Sequence, residues 1–215
     1  FMGADGFVWR HISAPVNGAL RSDLNDDFFS LQPSYYYNES VTGSKDSGWV
    51  AITGTDPLLA GNGYIVPPRN PGALTWDLTD PINQGTFTFD SVTYTNTGSS
   101  GDDGWNFVGN PYPATIDWDA ATGWTKTNIG NMISIRDYAG GPYKTWDGIT
   151  GSLGSGLIAS GQGFWIQGDS VGNPVLSITE NVKSSNTGAF YRVATAGGLT
   201  NHLVISLISN NKTDK

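Results

Sequence analysis

The chain has 215 residues, enough for one large domain or two small ones. With 38% hydrophobic residues, 12% aromatics, 29 glycines and only 14% charged residues, it reads as a packed all-β protein rich in turns, not as a disordered one. The net charge of −8 argues against nucleic acid and anionic membrane surfaces as partners, no apolar run is long enough to cross a bilayer, and the lack of cysteine excludes disulfides and thiolate sites.

The chain opens at Phe1-Met2-Gly3 without the basic and apolar segments of a signal peptide, so any leader is expected to have been removed or to belong to a longer protein of which this is an excerpt. Phe7 to Ile12 is predicted to be a strand, and Pro15 to Gly18 a turn. Asp23 to Phe29 reads as a loop or one short helical turn. Ser34 to Asn38 is strand-like and connects through Gly43 to Gly48, as a hairpin, to Trp49 to Ile52. Tyr64 to Val66 ends at Pro67-Pro68. Leu74 to Trp76 and Thr86 to Phe89 alternate with the period of half-buried strands.

The second half repeats this order. Trp105 to Val108 opens it as a strand, and Gly109-Asn110-Pro111-Tyr112-Pro113 turns the chain. Ile116 to Trp118, Met132 to Arg136, Tyr143 to Trp146, Gly161 to Ile166 and Val175 to Ile178 follow. Trp9 and Trp105 are 96 positions apart (105 − 9), as are Pro15 and Pro111 (111 − 15). Gly63 and Gly163 are 100 apart (163 − 63), so the spacing grows only across loops, as in a duplicated unit. The expected fold is an antiparallel β-sandwich region over 1–215, with pseudo-repeats at 6–95 and 101–182 and closing strands within 188–208, namely Gly188 to Val193 and His202 to Ile208. Two small tandem sandwiches are the alternative. No segment carries a capped helical period.

The stretch Trp105 to Pro113 (W-N-F-V-G-N-P-Y-P), followed by Ile116-Asp117-Trp118, resembles a signature of large secreted and surface proteins of Bacteroidota, where it precedes C-terminal sorting domains. Ile158 to Ile166 is similar to the same family's G-Q-G-F motif, and Trp9 to Pro15 with Gly61 to Val66 resembles its upstream copy, with Ala14 in place of the asparagine at Asn110. The resemblance implies export by the type IX route and a cell-surface or extracellular location, and no particular catalytic residues. In that setting Asp90-Ser91-Val92 and Asp169-Ser170-Val171 resemble the tripeptide that such bacteria O-glycosylate, making Ser91 and Ser170 candidate modification sites beside the plainer reading of two loop serines.

Hydrolytic chemistry finds little support. His11 and His202 are the only histidines, no nucleophile elbow or zincin motif occurs, and Glu39 and Glu180 are the only glutamates. Asp23, Asn25 and Asp27 offer oxygens at alternate positions, as at the start of a calcium loop, but Phe28 and Ser34 stand where that loop needs glycine and glutamate. A solvated acidic turn is the alternative there.

Aromatics are the most suggestive class, because sugar rings stack on flat aromatic faces. Trp9 with Trp105, Tyr64 with Phe164, and Trp49 with Trp146 are matched between the copies and are expected in the core, Trp105 included. Trp118, Trp124, Tyr138, Tyr143 and Trp165 lack such partners and are the ligand candidates, the alternative being that they cover sandwich edges. Trp165 points opposite to Phe164 and Ile166 in its strand. The expected function is a non-catalytic extracellular module for surface attachment or for binding a polysaccharide or surface glycan. The rivals are a spacer or assembly subunit that pairs with other surface-protein domains through the edge strand His202 to Ile208, and part of a polysaccharide-active enzyme.

Overall fold

The structure is a computed structural model that describes residues 9–25, 33–67, 76, 78–98, 101–137, 142–169 and 172–188, and the backbone of 208–209 and 212–213. Its elements are β1 (Arg10–Ile12), β2 (Ser34–Tyr37), β3 (Trp49–Ile52), β4 (Tyr64–Val66), β5 (Phe87–Thr88), β6 (Trp105–Gly109), β7 (Ile116–Asp117), β8 (Trp124–Thr127), β9 (Ile133–Arg136), β10 (Tyr143–Trp146), β11 (Leu157–Ile158), β12 (Gly163–Gln167) and β13 (Val175–Ile178). A hairpin of β14 (Ile208–Ser209) and β15 (Lys212–Thr213) follows. The fold is all-β, with every strand pair antiparallel. The helical residues described are two 3-10 turns, Arg21–Leu24 and Glu180–Val182.

Two four-stranded sheets dominate, in the orders β1-β4-β2-β3 and β6-β12-β9-β10. Their registers coincide. His11 pairs with Ile65 as Phe107 pairs with Trp165, and Ile12 with Tyr64 as Val108 with Phe164. On the other side of β4 and β12, Tyr35 meets Ile65 as Ser134 meets Trp165. At the outer edges Tyr37 pairs with Trp49 as Arg136 pairs with Tyr143. The spatial counterpart of Trp49 is therefore Tyr143, and that of Trp146 is Ile52, which corrects the sequence-based match of Trp49 with Trp146.

The sheets join through reciprocal backbone bonds. Ser13 N–H donates to the Gly161 carbonyl at 2.8 Å, and Gly109 N–H donates to the Gly61 carbonyl at 2.8 Å. Single antiparallel bridges link Ile12 to Gln162 and Asn62 to Val108. Each contact is its partner with the two halves exchanged, the hallmark of an approximate two-fold axis. Small residues permit this approach. A Cβ on Gly109 would collide with the Ser13 Cβ and stand 2.6 Å from the Asn62 carbonyl oxygen; one on Gly163 would stand 2.9 Å from the Ile12 carbonyl oxygen.

Each sheet buries one face in its own core. Ile12, Val16, Leu24, Ile52, Leu58, Tyr64, Val66 and Trp76 form the first. Val108, Tyr112, Ile116, Trp118, Ile133, Ile135, Phe164, Ile166, Leu176 and Ile178 form the second and larger one, which a three-stranded sheet in the order β5-β13-β8 helps to close. Removing such large side chains from water stabilises the fold by about 1.5–3 kcal/mol each. Asn110 ties the turn after β6 to this second core. Its buried amide donates to the carbonyls of Ala114 (2.8 Å) and Ala159 (3.0 Å), and its oxygen accepts from Tyr112 N–H at 3.0 Å. Its counterpart Ala14 is also fully buried but makes no side-chain bonds, so the knot belongs to the second half alone.

Several sequence-based boundaries shift. The turn expected within Asp23 to Phe29 is the 3-10 segment Arg21–Leu24. Strands β8 and β11 lack a sequence signal, because Trp124-Thr125-Lys126-Thr127 carries no alternation of apolar and polar residues and Leu157–Ile158 is only two residues long. Of Leu74 to Trp76, only Trp76 is among the described residues, as a buried core side chain outside any strand. The strands expected at Gly188 to Val193 and His202 to Ile208 fall almost wholly outside the described residues.

Gly109→Ala is expected to destabilise the protein by about 1–3 kcal/mol, because overpacking forces backbone shifts at the junction. Gly101→Ala, whose Cβ would meet open space, should change stability by less than about 0.5 kcal/mol. Denaturant unfolding of both variants checks the pair. Equal stabilities would mean that the sheets do not approach as closely as described.

Candidate functional site

A strand sends alternate side chains to opposite faces. Ile12, Tyr64 and Val66 enter the first core, so His11 and Ile65 point the other way. Val108, Phe164 and Ile166 enter the second, so Phe107 and Trp165 do likewise. The axis then sets these two outward faces against each other, enclosing a cleft of about 500 Å³. His11, Ile65 and Ser134 form its buried base; Lys45, Asp46, Gly101, Asp102 and Tyr143 form its exposed rim.

Aromatic rings line most of what lies between. Trp165 stacks on Phe107 with centroids 4.8 Å apart, and meets Tyr37 and Trp49 edge-on at 5.0 and 5.7 Å. His11 packs edge-on against its own counterpart Phe107 at 4.7 Å, across the axis. Trp9, Trp105 and Tyr143 complete the walls. Trp105 is held by its indole N–H donating to the Gly101 carbonyl at 3.1 Å. The loop leading to it is anchored by Glu39, which follows β2. That buried carboxylate accepts from Thr93 Oγ1 (2.7 Å), Thr95 N–H (2.6 Å) and Gly104 N–H (3.1 Å).

Three polar atoms in the cleft are buried without a hydrogen-bond partner: His11 Nδ1, Trp165 Nε1 and Arg136 Nε. Of the eight such atoms among the described residues these three share one cleft, where a ligand can supply partners. His11 is only 6% exposed. Burial first, and then the charge of Arg136, push its pKa down to about 3, so its imidazole is neutral at physiological pH. At the other end, burial and the carboxylates of Glu39, Asp46 and Asp102 raise the pKa of the Tyr37 hydroxyl. The cleft lining thus carries charges of both signs, Arg136 and Lys45 against Asp46 and Asp102.

Of the five aromatic ligand candidates, Trp165 and Tyr143 stand together in this cleft. Trp118 and Trp124 do not. Trp118 is 2% exposed, inside the second core, with its indole N–H donating to the Asn131 carbonyl at 2.7 Å. Trp124 packs edge-on against it at 4.7 Å and donates to the Asp117 carbonyl at 2.8 Å. Lys126 covers Trp118 with its ammonium 3.5 Å from the ring centroid, and burial pushes its pKa down to about 8. Tyr138 lies outside the described residues. The aromatics expected in the core also divide. Tyr64 and Phe164 are there, but Trp9, Trp49 and Trp105 are half-buried cleft walls, and Trp146 packs at the edge of the second core with its N–H on Asp119 at 2.7 Å. A match between the halves marks positions on the shared inter-sheet face as readily as core positions. Sequence reasoning does not single out His11, Tyr37 and Arg136 as binding residues: Arg136 reaches the face of Trp165 through the pairing of β9 with β12, and only the axis brings His11 and Tyr37 across from the other sheet.

Asp23 and Asn25 serve the local turn. Asp23 accepts from Leu20 N–H at 2.8 Å, and Asn25 accepts from Arg21 Nη1 at 3.0 Å; Asp27 lies outside the described residues. Among the described residues no three His, Asp or Glu side chains cluster as a metal site. Ser91 is exposed on the turn after β5, its hydroxyl donating to Asn62 Oδ1 at 2.9 Å, and Ser170 lies outside the described residues. Comparison with protein families, curated proteins and solved structures gives no match to this chain.

The His11 shift has a measurable consequence. The unfolded chain takes up this proton near pH 6.5, whereas the folded protein resists until about pH 3. The contribution is therefore complete above pH 6.5 and declines as pH falls towards 3, by up to about 1.4 kcal/mol per pH unit. His11→Phe, which installs the residue found at Phe107, should flatten the fall in melting temperature between pH 7 and pH 4. Identical pH profiles for the two proteins would show that His11 titrates normally.

Proposed function

We propose that this chain is a non-catalytic carbohydrate-binding module whose ligand lies in the cleft between the two sheets. The observation that carries the reading is the cleft's lining: Trp9, Trp49, Trp105, Tyr143 and Trp165 beside the unpartnered His11 Nδ1 and Trp165 Nε1. Flat apolar rings suit the C–H faces of a sugar, and polar atoms between them suit its hydroxyls. The volume of about 500 Å³ accommodates a few sugar units. The state of His11 favours binding over catalysis. A general base needs a pKa near the working pH, and a His held at about 3 beside Arg136 is a poor proton acceptor. With the resemblance of Trp105 to Pro113 to type IX-exported proteins, the setting we propose is a surface or secreted protein of that class, binding polysaccharide or surface glycan.

A glycan array followed by calorimetry tests this. Trp165→Ala and Trp105→Ala are expected to weaken binding by about tenfold or more, the loss typical of a stacking anchor. Trp124→Ala should lower stability by about 3 kcal/mol through the second core and leave affinity unchanged at a temperature where the variant is folded. Binding lost in Trp124→Ala but kept in the other two would move the site elsewhere, and no binding to any glycan would favour a spacer or assembly role.

A further inference from the structure

We propose that the cleft takes a carboxylated sugar, a hexuronate unit of an acidic polysaccharide, with Arg136 holding the carboxylate and Trp165 and His11 the neighbouring oxygens. This rests on the carbohydrate-binding reading and narrows it. Arg136 ends β9 at the position where the other half has Tyr37, so the approximate symmetry does not require a cation there. Its guanidinium stands 5.7 Å from the Tyr143 ring centroid, within the cleft. Among the described residues no carboxylate forms an ion pair with it, although the chain carries a net charge of −8. Its Nε is buried and unpartnered.

The chemistry of the orphaned atoms points the same way. Arginine and the indole N–H only donate. A neutral sugar offers hydroxyls that bring a donor with every acceptor, whereas a carboxylate brings acceptors alone and matches the guanidinium fork by charge-assisted bonds. The neutral His11 imidazole brings no further cation. With the carboxylate held by Arg136, the Asp46 and Asp102 side chains elsewhere in the lining can accept from the ring hydroxyls.

The test is calorimetry on the full chain with oligomers of galacturonate, glucuronate and mannuronate, each beside its methyl ester. Esterification removes the charge and keeps the ring. At least one acid should bind about tenfold or more tightly than its ester, the scale of one charge-assisted hydrogen bond. Raising salt should shrink that preference. Arg136→Gln should abolish it, the acid losing about tenfold or more and the ester clearly less. Equal affinity for acid and ester, or an equal loss of both in Arg136→Gln, would overturn carboxylate recognition and leave the glycan reading standing. Neutral glycans bound in preference to every acid would do the same. Failure to bind any glycan, acidic or neutral, would end both. The acid–ester comparison uses the wild-type protein, so it decides the matter even if Arg136→Gln misfolds.

Discussion

The structure depends on one backbone hydrogen bond made twice by the same geometry: Ser13 N–H to Gly161, and Gly109 N–H to Gly61. They sit where two four-stranded sheets come within backbone distance of each other, and no side chain larger than a hydrogen fits at Gly109 or Gly163. The sheets keep separate cores on one side. On the other side they turn their remaining faces towards each other. A displacement at the junction would therefore alter the cleft before it altered either core.

A duplicated unit placed around a two-fold axis builds a cleft from equivalent positions, and the chemistry then comes from where the halves differ. Trp9 and Trp105 remain alike as walls. Ile65 answers Trp165, His11 answers Phe107, and Tyr37 answers Arg136. These exchanges replace apolar or neutral side chains with an indole N–H, an imidazole and a guanidinium, and put them on the same side of two facing sheets. The result is an asymmetric lining on a nearly symmetric frame.

The supports of this cleft are polar and local. Glu39 clamps the loop that carries Asp102 and Trp105, and Asn110 locks the turn that follows β6. Both are buried and hydrogen-bonded, which offsets the cost of removing them from water. The motif around Asn110 is therefore structural: its side chains bind their own backbone, while the neighbouring strand supplies Trp105 to the cleft and Phe107 to support Trp165. Trp118, Trp124 and Lys126 form a similar closed unit, and this is why two tryptophans without a match in the first half take no part in the site.

The sequence by itself determined the all-β class, the order of most strands, the match of Trp9 with Trp105, and the direction of Trp165 opposite to Phe164 and Ile166. These follow from local causes: alternation with period two, glycine and proline at turns, and a spacing kept nearly constant between the halves. It did not distinguish core aromatics from cleft aromatics, because a face buried against a sheet of its own half and a face turned towards the other half carry the same apolar pattern. It did not separate Trp118 and Trp124 from Trp165 either, since all three are unmatched. Only the tertiary structure decided that Tyr143, Trp165, Arg136 and His11 share one cleft. Strand pairing within one sheet places Arg136, Tyr143 and Trp165 together, and the axis, where Ser13 meets Gly161 and Gly109 meets Gly61, adds His11 from the other sheet. Those backbone contacts join residues far apart in the chain, and contacts of that range leave no periodic trace in a sequence.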